Sequence, residues 1–544
     1  MKVTVTALAS TLLLGSSLSA QTPDHRAAQA HDHHAAQTLG TVRFETSCAP
    51  SVRQRFDTAV ALMHSFQFGR AIETFNAILA ADPSCAMAHW GIALSRWSNP
   101  FAGFKSPAQL AQGLDAVGKA RAIGTGTARE KAYVDAVAQL YVDSARRSQS
   151  ERLKAYEQAM AAVSNAYPED VEATIFYALA LAAAADPSDQ TYARQRRAGA
   201  LLEPLFARYP DHPGLAHYII HAYDEPALAA RAAGAAKRYG AIAPSTPHAL
   251  HMPSHTFTRV GDWQASIDTN KASADAARAA GQPADVLHAS DYMIYGYLQT
   301  GQDEAARRLV ATSVEVFRTF DPARASGAAP ASAAFFANAA IPARFALERH
   351  AWSEAAALAP HPSPFPNADA ITFFARGFGA ASRKDGATAR AAIAALEQLR
   401  GKLADTNDDY WTGQIDIAMR EVSGRLALAE GDVEKGLADL RDAAAREDKT
   451  ELASVTPGPF LPAREILGDM LLSLGRPTEA LAEYRASLER DPNRFWSLYG
   501  AASAARRAGD SAAARDHARR LLELTRRADP SRRAALDEMR RLTG

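Results

Sequence analysis

Apolar and small residues recur at helical spacing through most of the chain. In GRPTEALAEYRASLERDP, residues 475–492, Ala480, Leu481, Tyr484 and Leu488 fall on one face, and a proline closes the segment. Gly509 stands 34 residues after Gly475 and opens GDSAAARDHARRLLEL in the same register. The pattern predicts two helices joined by a tight turn, repeated every 34 residues. Further copies are FGRAIETFNAILAADP at 68–83, GDWQASIDTNKASADAA at 261–277, GQDEAARRLV at 301–310 and GDVEKGLADL at 431–440. Pro and Gly cluster at 321–330, 361–369 and 454–462, which predicts loops or breaks between sub-arrays. Residues 121–189 are helical by pattern but diverge from the repeat. About ten helix pairs are expected from the period.

These units resemble the tetratricopeptide repeat family over most of residues 44–528. The resemblance implies an all-α fold, a right-handed superhelical solenoid of helix-turn-helix repeats. Small residues such as Ala71 and Ala480 then sit where helices cross, and Phe75 and Tyr484 fill the gaps. It also implies a concave groove lined by the first helix of each unit. The expected organisation is a signal peptide at 1–20, a His-rich segment at 21–43 and N-terminal repeats at 44–120. Divergent helical repeats follow at 121–200, His-bearing repeats at 201–325, irregular repeats at 326–450, C-terminal repeats at 451–528 and a tail at 529–544.

The start of the chain changes the picture of where it works. Lys2 precedes the apolar run Val3 to Leu14, and small residues lead to Ala20, the pattern of a secretory signal peptide. A periplasmic or secreted protein is expected, without stable membrane insertion, because no later run reaches about 18 apolar residues. In that compartment Cys48 and Cys85 are expected to pair, closing a loop that stabilises by roughly 3–4 kcal/mol. Two unpaired thiols are the alternative. The tract QTPDHRAAQAHDHHAAQ holds His25, His31, His33 and His34, either a loose metal-capturing tract or an inert tail. The 60 Lys+Arg balance 60 Asp+Glu, which gives no overall field for nucleic acid.

A ladder of histidines runs in register with the repeat. The middle of the chain reads HPGLAHYIIHAYDEP, then PSTPHALHMPSHTFTRVGDW, then ADVLHASDYMIYGYLQTGQDE. His217 and His221 are four apart, as are His251 and His255, and the two pairs are offset by 34 residues. They are expected to face each other on consecutive units. His248, His251 and His255 share one helical face. Aligned through Gly261 and Gly301, they correspond to His288, Asp291 and Tyr295. Helix axes about 8–10 Å apart let imidazoles from neighbouring units close around one ion at about 2.0–2.1 Å per bond. The candidate ligands are therefore His217, His221, His251 and His255, with His248, His288 and Asp291 as further ligands or supports. Imidazoles suit Zn, Cu, Fe or Ni. Pro253 predicts a bend between His251 and His255, or else a helix that starts later and leaves His248 and His251 in a loop.

Tyr295, Arg344, Arg376, Glu421, Arg425, Glu465 and Asp469 fall at matching first-helix places and are expected either to line the groove or to form a solvated face. His64 and His89 read as packing residues. No nucleophile elbow, P-loop, dinucleotide fingerprint or HExxH motif occurs, so no familiar catalytic activity is implied. The boxes at 217–224 and 248–263 are similar to those of exported bacterial tetratricopeptide proteins of undefined function. Two functions follow. One is a scaffold that holds a protein or peptide partner in its groove. The other is a transition-metal protein, in the further case a metalloenzyme, built on the histidine ladder.

Overall fold

The turn chemistry of the repeats explains how the helices are cut. Gly261, Gly431 and Gly509 take positive φ, and the aspartate that follows each caps the next helix. Asp262, Asp432 and Asp510 accept from the backbone N–H groups of Ala265, Lys435 and Ala513, satisfying donors the helix leaves orphaned. A Gly-Asp dipeptide thus stops one helix and starts another. At Gly261 the need for glycine is double, because a Cβ there would lie 2.4 Å from the carbonyl oxygen of Pro492.

The computed structural model describes residues 38–103, 105–186, 188–405, 408–451, 453 and 455–544. The expected signal peptide at 1–20 and the histidines at 25–34 lie outside the described residues. The described residues form 26 α-helical segments and no strand, an all-α helical-repeat solenoid. That exceeds the ten pairs expected, because the divergent stretch 121–189 is also helical, as Ala128–Ala138, Gln149–Ala166 and Val171–Ala183, and because Pro253 splits one helix in two. The expected breaks at 321–330 and 454–462 fall between α-helices, and that at 361–369 runs into the first turn of the helix Pro366–Ser382. No helix among the described residues is long and apolar enough to cross a membrane.

Each unit packs as its sequence pattern requires. Tyr484 is buried, and its ring lies where Cβ atoms on Gly468 and Gly500 would approach it within 2.9 and 2.3 Å. Those two helices therefore meet around the aromatic with no room for a larger residue. Cys48 and Cys85 form a disulfide with Cα atoms 4.8 Å apart, tying the N-terminal segment to the second repeat.

The C-terminal repeats fold back onto the middle of the chain. Trp263 Nε1 donates to the Asn493 carbonyl at 2.8 Å, and Gln299 Oε1 accepts from the Phe495 N–H at 2.9 Å. Arg532 is buried and grips Asp303 through two nitrogens. Residues 529–544, expected as a tail, thus carry an anchoring arginine and a last helix, Arg533–Thr543. The Pro-rich segment around Thr456–Pro459 lies against Arg259, Tyr292 and Arg344. This return of the chain covers the face that carries the histidines' neighbours.

Candidate metal centre

Four helical pieces position the histidines. Pro213–Ala222 starts with His212 as its cap and proline at its first position, and carries His217 and His221. Pro247–His251 and Pro253–Arg259 are the halves of the helix bent at Pro253. His248 and His251 are therefore helical and lie on the first half. Pro283–Gln299 brings His288, Asp291, Tyr292 and Tyr295. His217, His221, His248, His251 and His255 are buried, and His288 is partly exposed.

The six imidazoles meet, in two sets of three. His217, His221 and His248 form one set, and His251, His255 and His288 the other, with the ligand atoms of each set within 4.8 Å of one another. His217 Nε2 lies 3.1 Å from His248 Nε2, and His251 Nε2 lies 3.1 Å from His255 Nε2. Two nitrogens bound to one ion at about 2.0–2.1 Å stand about 2.9–3.4 Å apart for ordinary bond angles. The repeat register suggested that His217 faces His251. The bent helix instead turns His248 onto His217.

The other nitrogen of several rings is already committed. His217 Nδ1 lies 2.6 Å from the backbone carbonyl oxygen of His64, which can only accept. His255 Nδ1 lies 2.7 Å from Asp224 Oδ2, and Asp224 in turn accepts from Arg259 Nε at 3.1 Å. His251 Nδ1 lies 2.7 Å from Asn270 Oδ1. Asn270 is oriented by its own amide nitrogen, which donates to the Ser266 carbonyl at 2.7 Å. All three Nδ1 atoms thus face acceptors, which leaves their Nε2 atoms, directed inward, as the candidate ligand atoms. The buried His221 Nε2 has no hydrogen-bond partner.

Aromatic rings wall the cluster. Phe66, in left-handed backbone conformation at φ 54°, stacks on His248 at 5.2 Å and meets His217 edge-on at 4.4 Å. Phe101 stacks on His221 at 4.1 Å, and Tyr292 lies 5.0 Å from His255. A strained backbone at a residue that packs three histidine rings is the kind of cost seen at functional sites. Burial holds His217 and His288 down to about 3, and His221, His248 and His251 well below the ordinary imidazole range, with neighbouring imidazoles adding to the effect. Neutral imidazole is the form that binds metal.

The remaining candidates are placed elsewhere. Asp291 is turned from the imidazoles and accepts from Arg344 Nε at 2.8 Å, both groups being buried. Arg344 also donates to Thr456 Oγ1 and to the carbonyls of Gly458 and Pro459. Tyr295 accepts from Arg494, which is bound to Glu465 and Glu348. These first-helix residues hold the chain's own returning segment where a groove for a partner was expected. Arg376 donates to the Leu358 carbonyl and Arg425 to Ser382 Oγ. Glu421 stands beside Glu447 at an apolar pocket of about 80 Å³. Asp469, pushed up to about 7 by burial, accepts from the Tyr484 hydroxyl. His64 is more than packing: with His212 it donates to the buried Glu172, at 2.8 and 2.9 Å, beneath a cleft of about 1000 Å³. Both imidazoles hold the Glu172 carboxyl down to about 2 against the opposing effect of burial.

Sequence reasoning did not single out Asp224, Asn270, Phe66 or Phe101. Asp224 and Arg259 carried a readable signal, since they stand inside the two histidine boxes. Asn270 and the two phenylalanines carried none.

The tetratricopeptide repeat family model matches residues 56–100, 422–495 and 467–533. The match identifies tetratricopeptide repeats toward both ends of the solenoid, and the histidine boxes lie outside the matched segments. The fold supports a protein-interaction or scaffold role. Among solved structures the chain is similar to the human IFIT1 dimer with m7Gppp-AAAA, at 11% identity over 81% of this chain and 90% of that one, with a TM-score of 0.35. It is also similar to the P58(IPK) TPR domain, at 12% identity over 90% and 98% of the two chains, with a TM-score of 0.21. No curated protein matches the chain.

Proposed function

We propose that this solenoid binds a transition metal at its buried histidine cluster. The observation that carries the reading is the pair His251 and His255. Their Nδ1 atoms are taken up by Asn270 and Asp224, which leaves the two Nε2 atoms facing each other 3.1 Å apart. In the neutral, metal-binding form both Nε2 atoms carry lone pairs, and a cation between them removes their repulsion. Asp224, fixed by Arg259, sets the tautomer of His255 as carboxylates do behind metal-binding histidines. Because five of the six rings are buried, the cluster offers a docking protein little surface. A partner would meet the outer helical faces, so the scaffold reading and the metal reading use different parts of the molecule. Export to an oxidising compartment, the expectation from residues 1–20, agrees with the Cys48–Cys85 disulfide.

The test is elemental analysis of the full-length chain, purified without an affinity His-tag and with His25, His31, His33 and His34 replaced by alanine. Metal is expected to remain bound. Removing an outer support of a ligand costs about 10–100-fold in affinity, so His251→Ala with His255→Ala should weaken binding at the triad they form with His288 by about 100-fold or more. A parent chain that takes up no transition metal under replete conditions ends the reading. Undiminished binding in the double variant refutes the choice of ligands.

A further inference from the structure

We infer that the cluster holds a pair of copper ions in the cuprous state, one in each histidine triad. The inference rests on the metal-binding reading and extends it to number and charge. Two sets of three imidazoles exceed what one ion of ordinary tetrahedral preference takes, and each set is complete by itself. The anchors divide in the same way. The His64 carbonyl aims His217 into the first triad, while Asn270 and Asp224 aim His251 and His255 into the second. The triads also adjoin. Ring centroids of His221 and His255 are 6.2 Å apart and those of His248 and His251 6.1 Å, no farther than His221 and His248 at 6.4 Å within one triad. Paired metal sites commonly hold their ions about 3.5–4 Å apart, and adjoining triads suit such a pair.

Charge decides the ion. All six donors bind metal as neutral imidazoles, and the two aspartates nearest them are already paired with cations. Asp224 is paired with Arg259, and Asp291 with Arg344, all four side chains being buried. Two divalent ions would place four uncompensated charges in this interior; two cuprous ions place two. The cost of burying charge favours the monovalent pair. Coordination is compatible with this, because each triad supplies three imidazole nitrogens, a set that copper accepts and that zinc completes with a fourth ligand such as water. His288, the partly exposed member, leaves the second triad an approach from outside.

The experiment is an anaerobic titration of the full-length chain, with the four histidines at 25–34 replaced as above, using copper(I) in competition with a cuprous chelator, and zinc(II) in parallel. Two copper(I) per chain are expected, falling to one in His221→Ala/His248→Ala and to one in His255→Ala/His288→Ala. Zinc is expected to stop short of two. A single copper per chain in the parent overturns the pair but leaves the metal-binding reading standing. Two zinc ions bound as tightly as copper overturn the charge argument. Failure to bind either metal removes the reading beneath. Circular dichroism checks that the variants fold, and the parent's stoichiometry decides the question if they do not.

Discussion

Replacing Arg494 with methionine is expected to lower the unfolding free energy by about 3–5 kcal/mol. The Arg494 guanidinium is 0% exposed and is the hub between the returning repeats and the histidine-bearing helix. It donates to Glu348 Oε1 at 2.8 Å, to both oxygens of Glu465 at 3.1 and 3.2 Å, and to the Tyr295 hydroxyl at 2.6 Å. One cation thus serves two buried carboxyls. Glu348 already lies above the usual carboxylate range because burial outweighs the pull of Arg494. Without the guanidinium both acids must take up protons or remain buried and charged. The loss should therefore be larger at pH 8 than at pH 5. Chemical denaturation at the two pH values measures it. Adding Glu348→Gln and Glu465→Gln to the methionine variant should recover most of the loss at pH 8, because the penalty lies in the stranded charges. A loss below about 1 kcal/mol would show that water reaches these acids and that the closure is loose.

What the sequence made legible follows from how each feature is encoded. The 34-residue period is local chemistry: a Gly-Asp turn, then small and aromatic residues at helical spacing, and the structure cuts its helices there. The nearness of the His217–His221 pair to the His251–His255 pair was readable because consecutive units stack in register, but the two pairs join different triads and not one shared site. Which ring meets which was not, because Pro253 turns His248 onto His217 through a bend whose direction is set by packing. The roles of Arg344, Glu465 and Tyr295 were hidden for another reason. Their register was visible, but Arg344 and Tyr295 find partners in the segment around Thr456–Pro459 and the repeats beyond it, more than a hundred residues away, and those contacts follow no periodicity. A groove inferred from register alone had no way to include the chain's own return.

The helix that brings His288 to the cluster is also fixed at its start by an acid, Asp285, and Asp285→Asn is expected to favour the folded protein much more at pH 8 than at pH 5. Asp285 Oδ1 accepts from the N–H groups of Ala328 and Ala329 at 3.1 and 3.2 Å, while the buried Oδ2 has no partner. Burial pushes this carboxyl from the ordinary 3.8 up to about 7, despite the two backbone donors. A raised acid holds its proton in the folded chain at pH values where the unfolded chain has released it. Stability is therefore intact below about pH 4 and declines as the pH climbs toward 7. Asparagine keeps an oxygen for Ala328 and Ala329 and carries no charge to bury, so the decline disappears. At about 1.4 kcal/mol per pH unit, the variant should gain roughly 2–3 kcal/mol on the parent between pH 5 and pH 8. Denaturant midpoints of the two chains across that range give the difference directly. Parallel curves would mean that Asp285 ionises freely in the folded protein, and the loop at 327–329 would then have to be held against this helix by other contacts.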